Sequence, residues 1–225
     1  LASAGASVAV LDRDGAAAGE VAAEITAAGG KASVHVVDVR DEAAIDAAID
    51  AVAVAHGAID ILINNAGIAV RSKATEMTLP DWNRVVDVNL TGMFLVARAA
   101  ARHMLEGDGG AIVNTSSIMG LSGGLYPNVA YQTTKGGVVN MTRALALEWA
   151  PRIRVNAVAP TFVRSALTET LLQNPDVLAT IEAATPLGRI AEPEEIAAGM
   201  LFLASPAAAM VTGTILPIDG GYLAR

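Results

Sequence analysis

The stretch Gly110-Ala111-Ile112-Val113-Asn114-Thr115-Ser116-Ser117 decides the reading of this chain. It is a short apolar run that ends in small polar residues, the pattern of a strand buried on both faces of a parallel sheet. Outward from it, apolar runs at 7–11, 32–37, 59–63, 154–157 and 214–217 alternate with alanine-rich helical stretches at 16–28, 42–55, 79–104, 129–149 and 193–203. Strands alternating with helices predict a doubly wound α/β fold: a parallel sheet with helices on both faces, three layers in all. The chain has 225 residues and no linker, repeat or charge block, so 1–225 reads as one domain. Ligands of open α/β sheets bind at the carboxyl ends of the strands, which is where Ser117 falls.

Downstream of that strand end, Tyr131 is followed four residues later by Lys135. Positions i and i+4 share a helix face, so the Lys135 ammonium is expected beside the Tyr131 phenol. An adjacent cation lowers a phenol's pKa, and free tyrosine, titrating near ~10, is a poor base at neutral pH without such help. Tyr126 has Ala130 at the same spacing and Tyr222 lies too near the end. A Tyr and a Lys at helical spacing also arise as a packed ring beside a solvated amine, so the pair gains its meaning from the strand end next to it.

Composition removes several functions. The formal net charge is −8, with no Lys/Arg cluster, which argues against nucleic acid or an anionic membrane as partner. Charged residues interrupt every apolar stretch before the ~18 residues needed to span a bilayer. There is no cysteine, which excludes disulfides, thiol catalysis and thiolate metal sites. His35, His56 and His103 are scattered, so no metal site is expected. With no targeting segment, a cytoplasmic location is expected.

Taken in order, Asn64-Asn65-Ala66-Gly67 after a strand, Asn89 in Val88-Asn89-Leu90, Ser117, Tyr131 with Lys135, and Pro160 after the 154–157 strand resemble the short-chain dehydrogenase/reductase family. The ending Leu216-Pro217-Ile218-Asp219-Gly220-Gly221 fits too, and the resemblance covers essentially the whole chain. It implies a Rossmann-like fold and hydride transfer between a nicotinamide dinucleotide and a secondary alcohol or ketone. On this resemblance Tyr131 is the general base in oxidation and the acid in reduction. Lys135 lowers its pKa and binds the nicotinamide ribose. Ser117 donates to the substrate oxygen where negative charge develops, and is preferred to Ser116 because the catalytic hydroxyl precedes the Ile118-Met119-Gly120 turn. Asn89 anchors a water that links Lys135 to solvent.

The same resemblance assigns the cofactor contacts. The 7–11 strand runs into Asp12, and an acid there accepts hydrogen bonds from the adenosine ribose and repels a 2′-phosphate, favouring NAD over NADP. Arg13 beside it could instead pair with that phosphate. Asp38 and Val39 match the adenine contact, although a strand-end Asp is also an ordinary capping residue. Asn65, Ala66 and Gly67 line the middle of the dinucleotide, where small residues let it approach the backbone. Pro160, Val163 and Ser165 meet the nicotinamide, with Tyr131 and Lys135 touching it from the other side.

Three departures qualify the match. Thr161 stands where the family commonly has glycine after the proline. Residues 162–192 correspond to the family's variable substrate lid, and the polar residues of 166–187 also fit a solvated helix face. The family's first strand and its Thr-Gly-x-x-x-Gly-x-Gly turn, which cradles the pyrophosphate at a helix N-terminus, have no match in this sequence. On the family's 3-2-1-4-5-6 sheet order the missing strand is the central one, so the expectation is a space or a filling segment between the 7–11 and 59–63 strands, and a chain without that unit that neither folds stably nor binds NAD.

The favoured function is an NAD-linked dehydrogenase or reductase acting on a sugar, polyol or sugar acid, assembled as a homotetramer or homodimer through the 79–104 and 129–149 helices, with 222–225 at a second interface. A 3-oxoacyl-[acyl-carrier-protein] reductase is the competing enzyme, and its need for a basic docking patch sits poorly with the acidic composition. A nucleotide-binding protein without chemistry is the competing class.

Overall fold

The structure is a computed structural model that describes residues 1–224. Four parallel strands form the larger sheet in the order β3-β4-β5-β6: β3 (Ile61–Asn64), β4 (Gly110–Thr115), β5 (Ile153–Pro160) and β6 (Ile215–Ile218). A separate parallel pair is formed by β1 (Ser7–Asp12) and β2 (Lys31–Val36). β1 and β3 therefore lie in different sheets. The 3₁₀ turn Ala2–Ala4 precedes β1, and the half-buried Leu1 packs with Ile61 and Ile63 of β3.

The helices follow the sequence signals for starts and stops. α1 (Gly15–Ala27) is capped by Asp14, whose carboxylate accepts from the Ala16 and Ala17 amides at 3.0 and 3.1 Å. α2 (Glu42–His56) is capped by Asp41 and stopped by Gly57 at φ 81°, a left-handed conformation that glycine takes without strain. The expected single helix over 79–104 is instead α3 (Leu79–Val86), a π-helical turn Asp87–Gly92, and α4 (Met93–Glu106). One extra residue per turn there rotates Asn89 inward, and π turns of this kind recur at functional sites. Asn64, buried at the end of β3, donates to the Met93 carbonyl at 2.7 Å and ties the sheet to the far side of that turn.

α5 (Val129–Glu148) packs behind β4 and β5. One apolar core joins Ile112 and Val155 of the sheet to Ala97, Ala100 and Met104 of α4 and Leu145 of α5. The predicted lid region holds α6 (Glu169–Leu172) and α7 (Pro175–Ala184), and α8 (Pro193–Ala204) covers the opposite face of the sheet. Ile181 of α7 packs with Ile118, Phe162, Ile190 and Tyr222, which fixes the lid over the carboxyl end of the sheet. Tyr222 is buried within its own chain, and Arg225 lies outside the described residues.

Candidate active site

The carboxyl ends of β3, β4 and β5, the start of α5 and the lid enclose a cavity of about 540 Å³. Ser117, Tyr131 and Lys135 all line it. Ser117 lies two residues past the end of β4, its Oγ accepts from the Met119 amide at 3.1 Å, and it is near enough to the Tyr131 phenol to favour its ionised form. Ser116, the competing hydroxyl, is buried and donates to the Lys135 carbonyl at 2.9 Å, so its oxygen is engaged in holding α5 against the strand end.

Lys135 is 2% exposed and has an unusual partner. Its Nζ donates to the Thr115 carbonyl at 2.6 Å and sits 5.5 Å from the centre of the Tyr131 ring. Burial pushes its pKa down from 10.5 to about 8. The phenol does not respond as the spacing suggested. Burial raises the Tyr131 pKa, and the Ser117 hydrogen bond and the Arg71 charge oppose that rise only in part. The expected lowering is corrected to a rise: Lys135 Nζ bonds the Thr115 carbonyl and not the phenol, and the loss of water around the phenol is the largest influence on it.

Asn89 is fully buried, and its side chain clasps the backbone of Ile68 from both ends. Oδ1 accepts from the Ile68 amide at 2.8 Å and Nδ2 donates to the Ile68 carbonyl at 2.9 Å, with Thr134 Oγ1 at 3.3 Å. Between Asn89 and Lys135 lies Gly67, where a Cβ would stand 3.5 Å from Asn89 Oδ1 and 3.6 Å from Lys135 Nζ. Asn65 is held by the Thr115 hydroxyl at 2.9 Å.

The family model described as enoyl-(acyl carrier protein) reductase matches residues 1–223. The chain belongs to the short-chain dehydrogenase/reductase family. It is 46% identical to the galactitol 2-dehydrogenase (L-tagatose-forming) of Cereibacter sphaeroides, across 98% of this chain and 87% of that protein. It is 43% identical to the D-threitol dehydrogenase of Mycolicibacterium smegmatis, across 97% of this chain and 84% of the relative. A gluconate 5-dehydrogenase from Burkholderia cenocepacia, solved with NADP and tartrate, superposes with a TM-score of 0.96 at 35% identity, covering 100% of this chain and 88% of that one. The chain is an oxidoreductase of this family, whose members use NAD(P).

Most of the residues expected at the nicotinamide line one cavity in this family member. Asn65, Gly67, Pro160, Val163 and Ser165 all line the cavity, whereas Ala66 and Asn89 stand behind it. Thr161 keeps the backbone regular: its amide donates to Ile218 at 3.1 Å, extending the β5–β6 ladder. Its hydroxyl is buried at the cavity with no partner, an orphaned polar atom that suits a ligand rich in hydrogen-bonding groups. Val163 bridges to Ala191, and Ser165 is set by Thr168, which donates to the Val163 carbonyl and accepts from the Ser165 amide at 3.2 Å.

The residues expected on the adenosine side, Asp12, Arg13, Asp38 and Val39, lie at and just past the ends of β1 and β2 and are not among the residues lining the cavity. Asp12 is exposed and accepts from the Asp14 amide at 2.9 Å. Asp38 is gripped by Arg40 at 2.5 Å, a contact that with its backbone hydrogen bond holds the carboxyl down at about 2. Arg13 adds a weaker charge to the same carboxylate. Val39 backs onto Gly92, where a Cβ would come within 2.7 Å of the Val39 carbonyl. The histidines lie elsewhere: His35 and His56 share the Ser33 hydroxyl at 3.2 and 2.9 Å, and His103 pairs with Asp50 at 2.7 Å. Among the described residues no helix is long and apolar enough to cross a membrane.

Sequence reasoning did not single out Arg71 and Asn128, which both line the cavity, and it gave Tyr126 no role. Tyr126 also lines it, with its hydroxyl reaching the Val177 carbonyl of the lid at 3.5 Å. All three sit in loops, where no periodicity marks them.

Proposed function

We propose that this protein is an NAD-preferring dehydrogenase of polyols or sugar acids, with Ser117, Tyr131 and Lys135 as its catalytic residues. The observation that carries the reading is the convergence of these three side chains on one cavity at the carboxyl end of β4. A nicotinamide dinucleotide held beside these residues would supply or take up the hydride. Tyr131 removes the alcohol proton during oxidation and returns it during reduction. Ser117, beside the phenol, donates to the substrate oxygen as negative charge grows there. Lys135 binds the nicotinamide ribose, and Asn89 keeps Ile68 and Gly67 in place beside it.

The polyol and sugar-acid reading draws on the relatives, two of which are named for threitol and galactitol and one for gluconate. NAD preference rests on Asp12, since the Burkholderia enzyme holds NADP. We place the protein in the cytoplasm as a homodimer or homotetramer joined through α4 and α5, whose Phe94, Leu105 and Leu147 are exposed at 38%, 41% and 84%. Its net charge of −8 argues against docking an acidic carrier protein.

The test is a panel of galactitol, threitol and gluconate with NAD and with NADP, followed by absorbance of the reduced cofactor. Turnover of at least one, faster with NAD, supports the reading. Inactivity with all three, or a clear preference for NADP, contradicts it.

A further inference from the structure

In a chain with a net charge of −8, the cavity is lined by only two charged side chains, Arg71 and Lys135, and by no Asp or Glu. Lys135 donates to the Thr115 carbonyl and is the residue assigned above to the nicotinamide ribose. Arg71 is exposed at the cavity rim, and its one hydrogen bond among the described residues goes to the Leu167 carbonyl of the lid at 3.3 Å. Most of its five donors are left for a ligand. It is close enough to the reaction centre for its charge to act on the Tyr131 phenol.

Asn128 supplies a second, independent observation. It is the N-cap of α5, and asparagine in that position ordinarily accepts from the first-turn amides. Here its side chain makes no capping bond, and Oδ1 is buried at the cavity without a partner. An acceptor withheld from its usual role, on a cavity-lining residue three positions before Tyr131, matches a ligand hydroxyl.

We propose that Arg71 and Asn128 form a substrate-reading pair that selects a polyhydroxy carboxylate over the uncharged polyol of the same length. The planar guanidinium fork matches a carboxylate bidentately, and Asn128 Oδ1 accepts from a hydroxyl next to the reacting carbon. The inference rests on the polyol and sugar-acid reading above, and narrows it.

The test compares kcat and KM for two matched pairs, gluconate with sorbitol and galactonate with galactitol, in the wild type and in Arg71→Met, Arg71→Lys and Asn128→Ala. For at least one pair the wild type should favour the acid. Arg71→Met should then reduce the acid-to-polyol ratio of kcat/KM by about 10- to 100-fold, the range of a charge-assisted hydrogen bond, mainly through KM. Arg71→Lys should restore part of it, and Asn128→Ala should raise KM for acid and polyol together. If the wild type favours the polyols, or Arg71→Met slows acid and polyol alike, Arg71 only props the lid and the inference falls while the dehydrogenase reading stands. If neither acids nor polyols are turned over, the inference falls together with that reading.

Discussion

Replacing Lys135 by methionine should change the pH dependence of stability in a way the structure specifies. Lys135 is 2% exposed, and burial alone lowers its pKa from 10.5 to about 8. At ~1.36 kcal/mol per pKa unit, the charged form costs about 3 kcal/mol more in the folded cofactor-free protein than in the unfolded chain. Below pH 8 the amine is charged in both states and the full cost applies. Between about 8 and 10.5 the folded protein releases its proton first, so the cost shrinks as pH rises, and above 10.5 it is gone. Methionine has similar length and no charge. It also gives up the 2.6 Å bond to Thr115, a loss of about 1–3 kcal/mol at every pH if that carbonyl is left unpaired. The two effects nearly offset at pH 7, so Lys135→Met should be close to wild type in stability there, although inactive. The informative quantity is the difference between the two proteins across pH, because other titrating groups cancel. Urea unfolding at fixed protein concentration from pH 7 to 11 should show the wild type gaining about 3 kcal/mol on the variant. A difference that stays constant with pH would refute the claim that burial without a counter-charge sets this lysine's titration.

The raised Tyr131 pKa means that the base form is scarce at neutral pH, so kcat/KM for alcohol oxidation should climb as pH rises from 6 to 9; a flat profile would contradict it. Gly120→Ala should destabilise the protein by roughly 1–3 kcal/mol, the usual range for overpacking, and lower kcat. The new Cβ would meet the Lys135 carbonyl oxygen at 2.5 Å and the Gly136 amide at 2.9 Å, and wild-type thermal stability and kcat would show that the turn yields freely. Asp12→Ala should narrow the NAD-over-NADP ratio of kcat/KM, because it removes the carboxylate that repels a 2′-phosphate; an unchanged ratio would move the discrimination to Arg13. Light scattering at micromolar concentration should give a dimer or larger, and a monomer would oppose the α4–α5 interface.

The strands and helices were legible because their burial follows simple periods. Ile112, Val113 and Val155 are fully buried in the sheet, and the i+4 spacing did bring Tyr131 and Lys135 to one face. The π turn was not legible, since 79–104 keeps a helical apolar pattern whether or not one turn is widened, and only the Asn89–Ile68 clasp reveals where Asn89 points. The partner of Lys135 was hidden for a similar reason: a backbone carbonyl carries no signature in the residue sequence, so the neighbouring phenol looked like the natural partner. Arg71 and Asn128 reach the cavity only through loop and lid geometry, and an arginine in a loop or an asparagine before a helix reads as ordinary surface and capping chemistry.

The central claim is that Tyr131 is the proton-transfer group of a dehydrogenase, and Tyr131→Phe tests it most directly. The change removes one hydroxyl and keeps the ring, so folding and cofactor binding should persist. Steady-state oxidation of the best substrate found for the wild type, followed by absorbance of the reduced cofactor, should fall by ~10²–10⁴-fold in kcat, as expected for loss of a positioned acid–base group. A Tyr131→Phe enzyme that turns over at a near-normal rate would contradict the account.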